Sequence, residues 1–157
     1  MTVVSDTSPL NYLILIGSDE LLKALFGTVA IPAAVIGELQ SAHAPTEIHE
    51  WLAHKPDWIE VHQLEIPKHY LPDLGLGERE AIDLASKVGA DALLMDDAKG
   101  RTAAERLNLR VFGTLGILDA AALRGFVDLP AALEKLKHTN FRAKPGLLES
   151  LLKRYGG

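Results

Sequence analysis

The sequence contains no cysteine. That excludes disulfides, thiolate zinc sites and cysteine nucleophiles, and it fits a cytoplasmic protein. Long apolar runs are also missing. None approaches the roughly 18 residues of a membrane span, so no membrane association is expected. The N-terminus lacks a basic region followed by a long apolar run, and no signal peptide is expected. Positive charge is scarce: 16 Lys and Arg against 21 Asp and Glu give a net charge of −5. This argues against a surface that coats nucleic acid broadly. It leaves room for an enzyme whose clustered carboxylates are neutralised by a bound cation. No repeat, low-complexity tract or linker interrupts the chain. The histidines do not form a zinc set, because His43, His49, His54, His62 and His69 lie in a polar middle stretch without HExxH-type spacing.

What is present is an apolar chain of ordinary domain size, 157 residues with 48% hydrophobic content. "TVVSD" reads as a short strand. "SPLNYLILIG" follows as a helix, with Ser8 as N-cap and Pro9 as first helical residue. "SDELLKALFG" repeats the scheme, capped by Ser18 and stopped by Gly27. "TVAIP" is a second strand, and Pro32 starts the helix "PAAVIGELQSAH". A helix over "TEIHEWLAHK" and an extended edge segment over "WIEVHQLEIP" come next. The helix "GLGEREAIDLASKVGA", closed by Gly89, leads to the strand "DALLMDD"; the helix "AKGRTAAERLN" leads to the strand "LRVFG" and the helix "TLGILDAAALRG". The tail predicts two more helices, over about 130–155, split at Lys144-Pro145-Gly146. Leu147, Leu148, Leu151 and Leu152 form a narrow apolar stripe there, suited to packing on the chain itself. This alternation is the pattern of an α/β fold. The expectation is one domain over residues 1–157, with a mostly parallel sheet of four to five strands flanked by helices.

Sites in such sheets lie at the carboxyl ends of the strands. Asp6 ends the first strand; Asp96 and Asp97 end another. Two helices add acids. Glu38 borders the face marked by Val35, Ile36 and Leu39. At about 100° per residue, Glu78 falls inside the arc of Ala81, Ile82, Leu84, Ala85 and Val88, and Glu80 at its edge, while Asp83 and Lys87 lie opposite. Each acid has an ordinary alternative: a cap, a first helical turn favoured by the dipole, or a solvated face. Their joint occurrence is harder to dismiss, because acids from four segments head for one sheet edge. Clustered carboxylates raise one another's pKa, and a cation removes that cost. Oxygen-only donors suit a hard ion, Mg²⁺ or Mn²⁺. Lys99, Arg101, Arg106 and Arg110 follow the acidic strand end and could neutralise a phosphate backbone.

The stretches "VVSDTSPLNYLILIG", "LFGTVAIPAAVIGEL", "LGLGEREAIDLA" and "ADALLMDDAKGRTAAERLNLRVFGTLGIL" resemble, in order and over nearly the whole chain, PIN-domain proteins. More narrowly, they resemble the uncharacterised PIN-like group related to VapC toxins. The resemblance implies a PIN-like fold and a Mg²⁺- or Mn²⁺-dependent endoribonuclease. Asp6, Glu38, Glu80 and Asp97 match the family's four catalytic acids. Glu78 and Asp96 stand beside them, so the implied metal set is Asp6, Glu38, Glu78, Glu80, Asp96 and Asp97. Ser8 matches the small hydroxyl residue of the site, and Lys99 and Arg101 stand with it as substrate-binding residues. One departure is visible: typical VapC toxins carry aspartate at the third acidic position, where this chain has Glu78 and Glu80. The implied partners are an RNA substrate, an antitoxin protein and a second copy in a homodimer.

Two alternatives stand beside the ribonuclease. One is a PIN module that binds RNA or a partner without cutting. The other is a phosphatase of the haloacid dehalogenase class, which also opens on strand-Asp but needs a second Asp where this chain has Ser8.

Overall fold

The structure is a computed structural model, and it describes residues 1–65, 69 and 71–154. Among these, five strands alternate with nine helices: β1 (Val3–Ser5), α1 (Thr7–Leu15), α2 (Glu20–Phe26), β2 (Val29–Pro32), α3 (Ala33–Leu39), α4 (Thr46–Ala53), β3 (Ile59–His62), α5 (Leu76–Val88), β4 (Ala92–Leu94), α6 (Ala98–Arg106), β5 (Val111–Phe112), α7 (Thr114–Leu123), α8 (Leu129–Lys137) and α9 (Leu147–Lys153). Ile66 and Pro67 of the expected edge segment, and Tyr155 of the expected tail helices, lie outside the described residues.

The strands form one parallel sheet in the order β3-β2-β1-β4-β5. The central strands β1, β2 and β4 are buried on both faces, which is why their sequences run nearly continuously apolar rather than alternating, while the edge strand β3 exposes Glu60 and Val61. The period of two appears in the packing instead. Val3, Val29, Ile31, Ala92 and Leu94 point to one face, where Leu10 and Leu13 of α1, Leu22 of α2 and Leu133 of α8 cover them. Val4, Ala30, Leu93 and Met95 point to the other, against Ala81, Ile82, Leu84 and Ala85 of α5 and Ala104 of α6. The tail stripe packs on the chain itself: Leu151 is buried, Leu148 and Leu152 rest on the first core, and Leu147 stays exposed. Among the described residues no helix is long and apolar enough to cross a membrane.

Three local expectations are corrected. First, α1 begins at Thr7, with Asp6 rather than Ser8 as its N-cap residue. The chain passes from strand to helix without a spacer, so the hydroxyls of Thr7 and Ser8 fall in the first turn. Second, α2 is capped at Asp19, not Ser18; the Asp19 carboxylate instead accepts from Trp51 Nε1 at 3.0 Å. Third, Asp83 is buried, not on an open face. Residue 69 folds over it, and both the His69 backbone N–H (3.1 Å) and Nδ1 (2.8 Å) bond its Oδ1. Periodicity along one helix cannot register a contact made by a residue outside it. Gly89 does close α5, in the left-handed conformation at φ 61° that glycine adopts without strain.

Candidate active site

The sheet order decides how close the acids come. β1 pairs directly with β4, with Ser5 opposite Leu94, and the Asp6 N–H continues the ladder by donating to the Leu94 carbonyl at 2.9 Å. Asp6 and Asp96 therefore leave neighbouring strands at the same edge. The chain from β1 crosses to β2 on one side, while β4 lies on the other, so this is the topological switch point of the sheet.

Asp6 is only 2% exposed. Its backbone is extended, as an N-cap residue requires, yet its carboxylate makes no capping bond and its Oδ1 is buried without a hydrogen-bond partner among the described residues. Burial pushes its pKa up from 3.8 to about 7. A backbone hydrogen bond from Thr7 pulls it down, and the charges of Glu78, Glu38 and Asp96 add to the rise.

Glu38 reaches the group from α3. Thr7 Oγ1 donates to its Oε1 at 2.5 Å. Its pKa is raised by partial burial, lowered by that bond, and raised by Glu78 and Glu80. Space for it comes from Gly77 in the first turn of α5: any Cβ there would overlap both Glu38 carboxylate oxygens. Glu78 lies against Gly75 in a similar way, with Oε2 at 2.6 Å from where a Cβ would stand. Asp96 is held by Thr114, whose N–H donates to Oδ1 and whose hydroxyl donates to Oδ2, each at 2.7 Å. Burial raises its pKa, while Thr114 and the Arg101 guanidinium lower it. Here Gly113 makes the room: a Cβ on it would stand 2.8 Å from Asp96 Oδ1 and 3.1 Å from Arg101 Nη1. Tyr12, one and a half turns along α1, closes the Asp96 side. Burial and the Asp96 charge raise its pKa. Phe141 backs the Tyr12 ring edge to face, with centroids 5.0 Å apart.

The PIN-domain family designated DUF3368 matches residues 2–157. The chain belongs to the PIN-domain family. No curated protein matches it. Among solved structures it is similar to a PilT N-terminus domain protein from the hyperthermophilic archaeon Sulfolobus solfataricus P2, at 14% identity and TM-score 0.54, covering 91% of this chain and all of that one. The likeness shows a shared fold. The family match also sets aside the haloacid dehalogenase alternative.

Not every expected acid of this PIN domain joins the group. Glu38, Glu78 and Asp96 each act as charges on Asp6, and Glu78 acts on Glu38. Glu80 acts on Glu38, but its Oε1 also accepts the Ala34 N–H at 3.1 Å, which ties the start of α3 to α5. Asp97 is exposed and turned to its own helix. Its Oδ2 accepts the Gly100 N–H at 2.8 Å as the N-cap of α6. Ser8 is half-buried in the first turn of α1, and it is Thr7, not Ser8, that bonds a site carboxylate. Arg101 sits beside Asp96 as its counter-charge, and Lys99 is exposed in the first turn of α6. Sequence reasoning missed Thr7, Tyr12 and Thr114. Thr114 was within reach, because "VFGT" ends a strand at the same sheet edge as "LLMDD".

PIN domains are nuclease-type modules and typically depend on a divalent metal. The donor chemistry fits a hard cation: oxygen donors only, four acids held near one another, and an orphaned buried oxygen on Asp6. Among the described residues, no three His, Cys, Asp or Glu side chains converge closely enough to hold an ion as they stand.

Proposed function

We propose that this PIN domain is a Mg²⁺- or Mn²⁺-dependent ribonuclease hydrolysing phosphodiester bonds. The observation that carries the reading is Asp6: a buried carboxylate, unpartnered at Oδ1, facing the charges of Glu38, Glu78 and Asp96. Such a group costs stability unless something positive joins it. Asp6, Glu38 and Asp96 are the residues that would hold the ion, with Glu78 beside them. Asp97, bonded to its own helix, is left out of this set. A bound divalent ion supplies phosphate polarisation and a more acidic water. The chain does the positioning. Thr7 fixes the Glu38 carboxylate, Thr114 fixes both oxygens of Asp96, and the bond between Glu80 and Ala34 holds α3 against α5. RNA as the substrate follows from the resemblance to VapC toxins.

A second reading, a PIN module that binds without cutting, is favoured by the carboxylates not converging on one point. Purified protein incubated with single-stranded RNA and Mn²⁺ separates the two. Cleavage that EDTA stops and that is lost in Asp96→Asn supports the nuclease. Binding without cleavage under any metal supports the module.

A further inference from the structure

Along α6, the helix that begins directly after Asp96 and Asp97, lies a cleft of about 510 Å³, walled by Leu71, Pro72, Asp73 and Leu74 on one side and by α6 on the other. From α6, Ala98 and Ala103 give it apolar lining, and Lys99, Thr102 and Arg106 line it with them. These three recur at helical spacing, and from Lys99 to Arg106 the helix advances two turns, about 10 Å. The local charge is opposite to that of the chain. Residues 98–110 carry Lys99, Arg101, Arg106 and Arg110 against Glu105 alone, within a protein of net charge −5. The four cations are not equivalent. Arg101 turns to Asp96, and Arg110 lies 5.7 Å from the centroid of the Phe112 ring. Among the described residues, neither Lys99 nor Arg106 pairs with a carboxylate. Both are exposed. Asp73 stands on the facing wall.

We propose that this cleft is the track of a single-stranded nucleic acid leaving the carboxylate group, with Lys99 and Arg106 on two of its phosphates and a base against Leu71, Leu74 and Ala103. The inference deepens the ribonuclease reading and rests on it for the direction of the strand. Position supports it: α6 begins directly after Asp96 and Asp97, so a strand entering at the acids meets Lys99 first and Arg106 next. A cleft whose lining sets Leu71, Leu74 and Ala103 beside two cations suits an unpaired base, which offers an apolar face to stack and a phosphate to pair.

The test is fluorescence anisotropy of a labelled oligouridylate in EDTA, so that cleavage is absent. It compares wild type, Lys99→Ala/Arg106→Ala, Thr102→Glu, and a control pair Lys135→Ala/Lys137→Ala on α8. The cleft variants should bind about tenfold or more weakly. The Lys99/Arg106 pair should also flatten the salt dependence by about 1.4 log units per log unit of salt, the slope of two lost phosphates on a single strand. The control should match wild type. Equal binding by the cleft variants and wild type overturns the inference. The same four proteins are then assayed for cleavage with Mn²⁺. Wild type that cuts, beside a Lys99/Arg106 variant with unchanged KM, overturns the cleft and leaves the nuclease standing. Binding through the two cations with no cleavage under any metal upholds the cleft and overturns the nuclease.

Discussion

A carboxylate that is 2% exposed and lacks a partner on one oxygen is held in a state the folded chain disfavours. The pKa of Asp6 is about 7 in the folded protein against 3.8 ordinarily, so between those values the native state binds a proton that the unfolded state has lost. Stability from this residue is fully present below about pH 4 and is lost as pH rises through 7, on the order of 4 kcal/mol in all. Glu38 and Asp96 are shifted in the same direction. In metal-free buffer the melting temperature should therefore fall from pH 5 to pH 8, and Asp6→Asn should shrink that fall. An identical pH profile in the two proteins would remove the basis for calling Asp6 a strained acid. Gly77 allows a second residue-scale test. Its missing Cβ is what admits the Glu38 carboxylate. Gly77→Ala gains up to about 1 kcal/mol of helix propensity but pushes Glu38 off Thr7. Cleavage should drop at least tenfold while the melting temperature stays level or rises. Lost stability with unchanged activity would contradict the cradle.

At the scale of elements, the acids divide by what their helices already use. Asp97 and Asp96 are neighbours in sequence, and sequence could not say which faces the site. In the structure α6 starts at Ala98 and its first turn takes Asp97 as its cap, while Asp96 is held by Thr114. Asp97→Ala should cost about 1 kcal/mol of stability, the usual loss of a cap. Asp97→Asn, a comparable cap, should cost little and leave cleavage near wild type, whereas Asp96→Asn should reduce cleavage strongly. Chemical denaturation and initial rates, measured on the same preparations, check both statements. The elements themselves were legible, because apolar strands and amphipathic helices write their period into the chain. The start of α5 also announced its carboxylates, since Glu78 falls on the arc that packs inward. The contacts that orient them were not legible. Thr7 to Glu38 spans 31 positions and Thr114 to Asp96 spans 18. Asp83 was misplaced because its partner, His69, lies outside its own helix.

For the whole molecule, one topological fact assembles the site. With β1 between β2 and β4, Asp6 stands at the centre of the sheet edge, Glu38 comes from the helix after β2, and Asp96 leaves the adjacent strand. Alternation of strands and helices foretold a parallel sheet, but strand order depends on how helices pack across it, which no local pattern records. The gathered charge has a global consequence. A cation that binds only the folded protein stabilises it by about 2.7 kcal/mol at a hundredfold excess over its Kd. Mn²⁺ should raise the melting temperature of wild type, most at pH 8 where the acids are ionised, and should leave Asp6→Asn unmoved. The most direct test of the central claim is cleavage of 5′-labelled single-stranded RNA by purified wild type, Asp6→Asn and Asp96→Asn, with Mn²⁺ and with EDTA. The account predicts Mn²⁺-dependent cleavage by wild type alone, leaving 5′-phosphate and 3′-hydroxyl ends. Cleavage that persists in EDTA, or that Asp6→Asn and Asp96→Asn perform as fast as wild type, would contradict it.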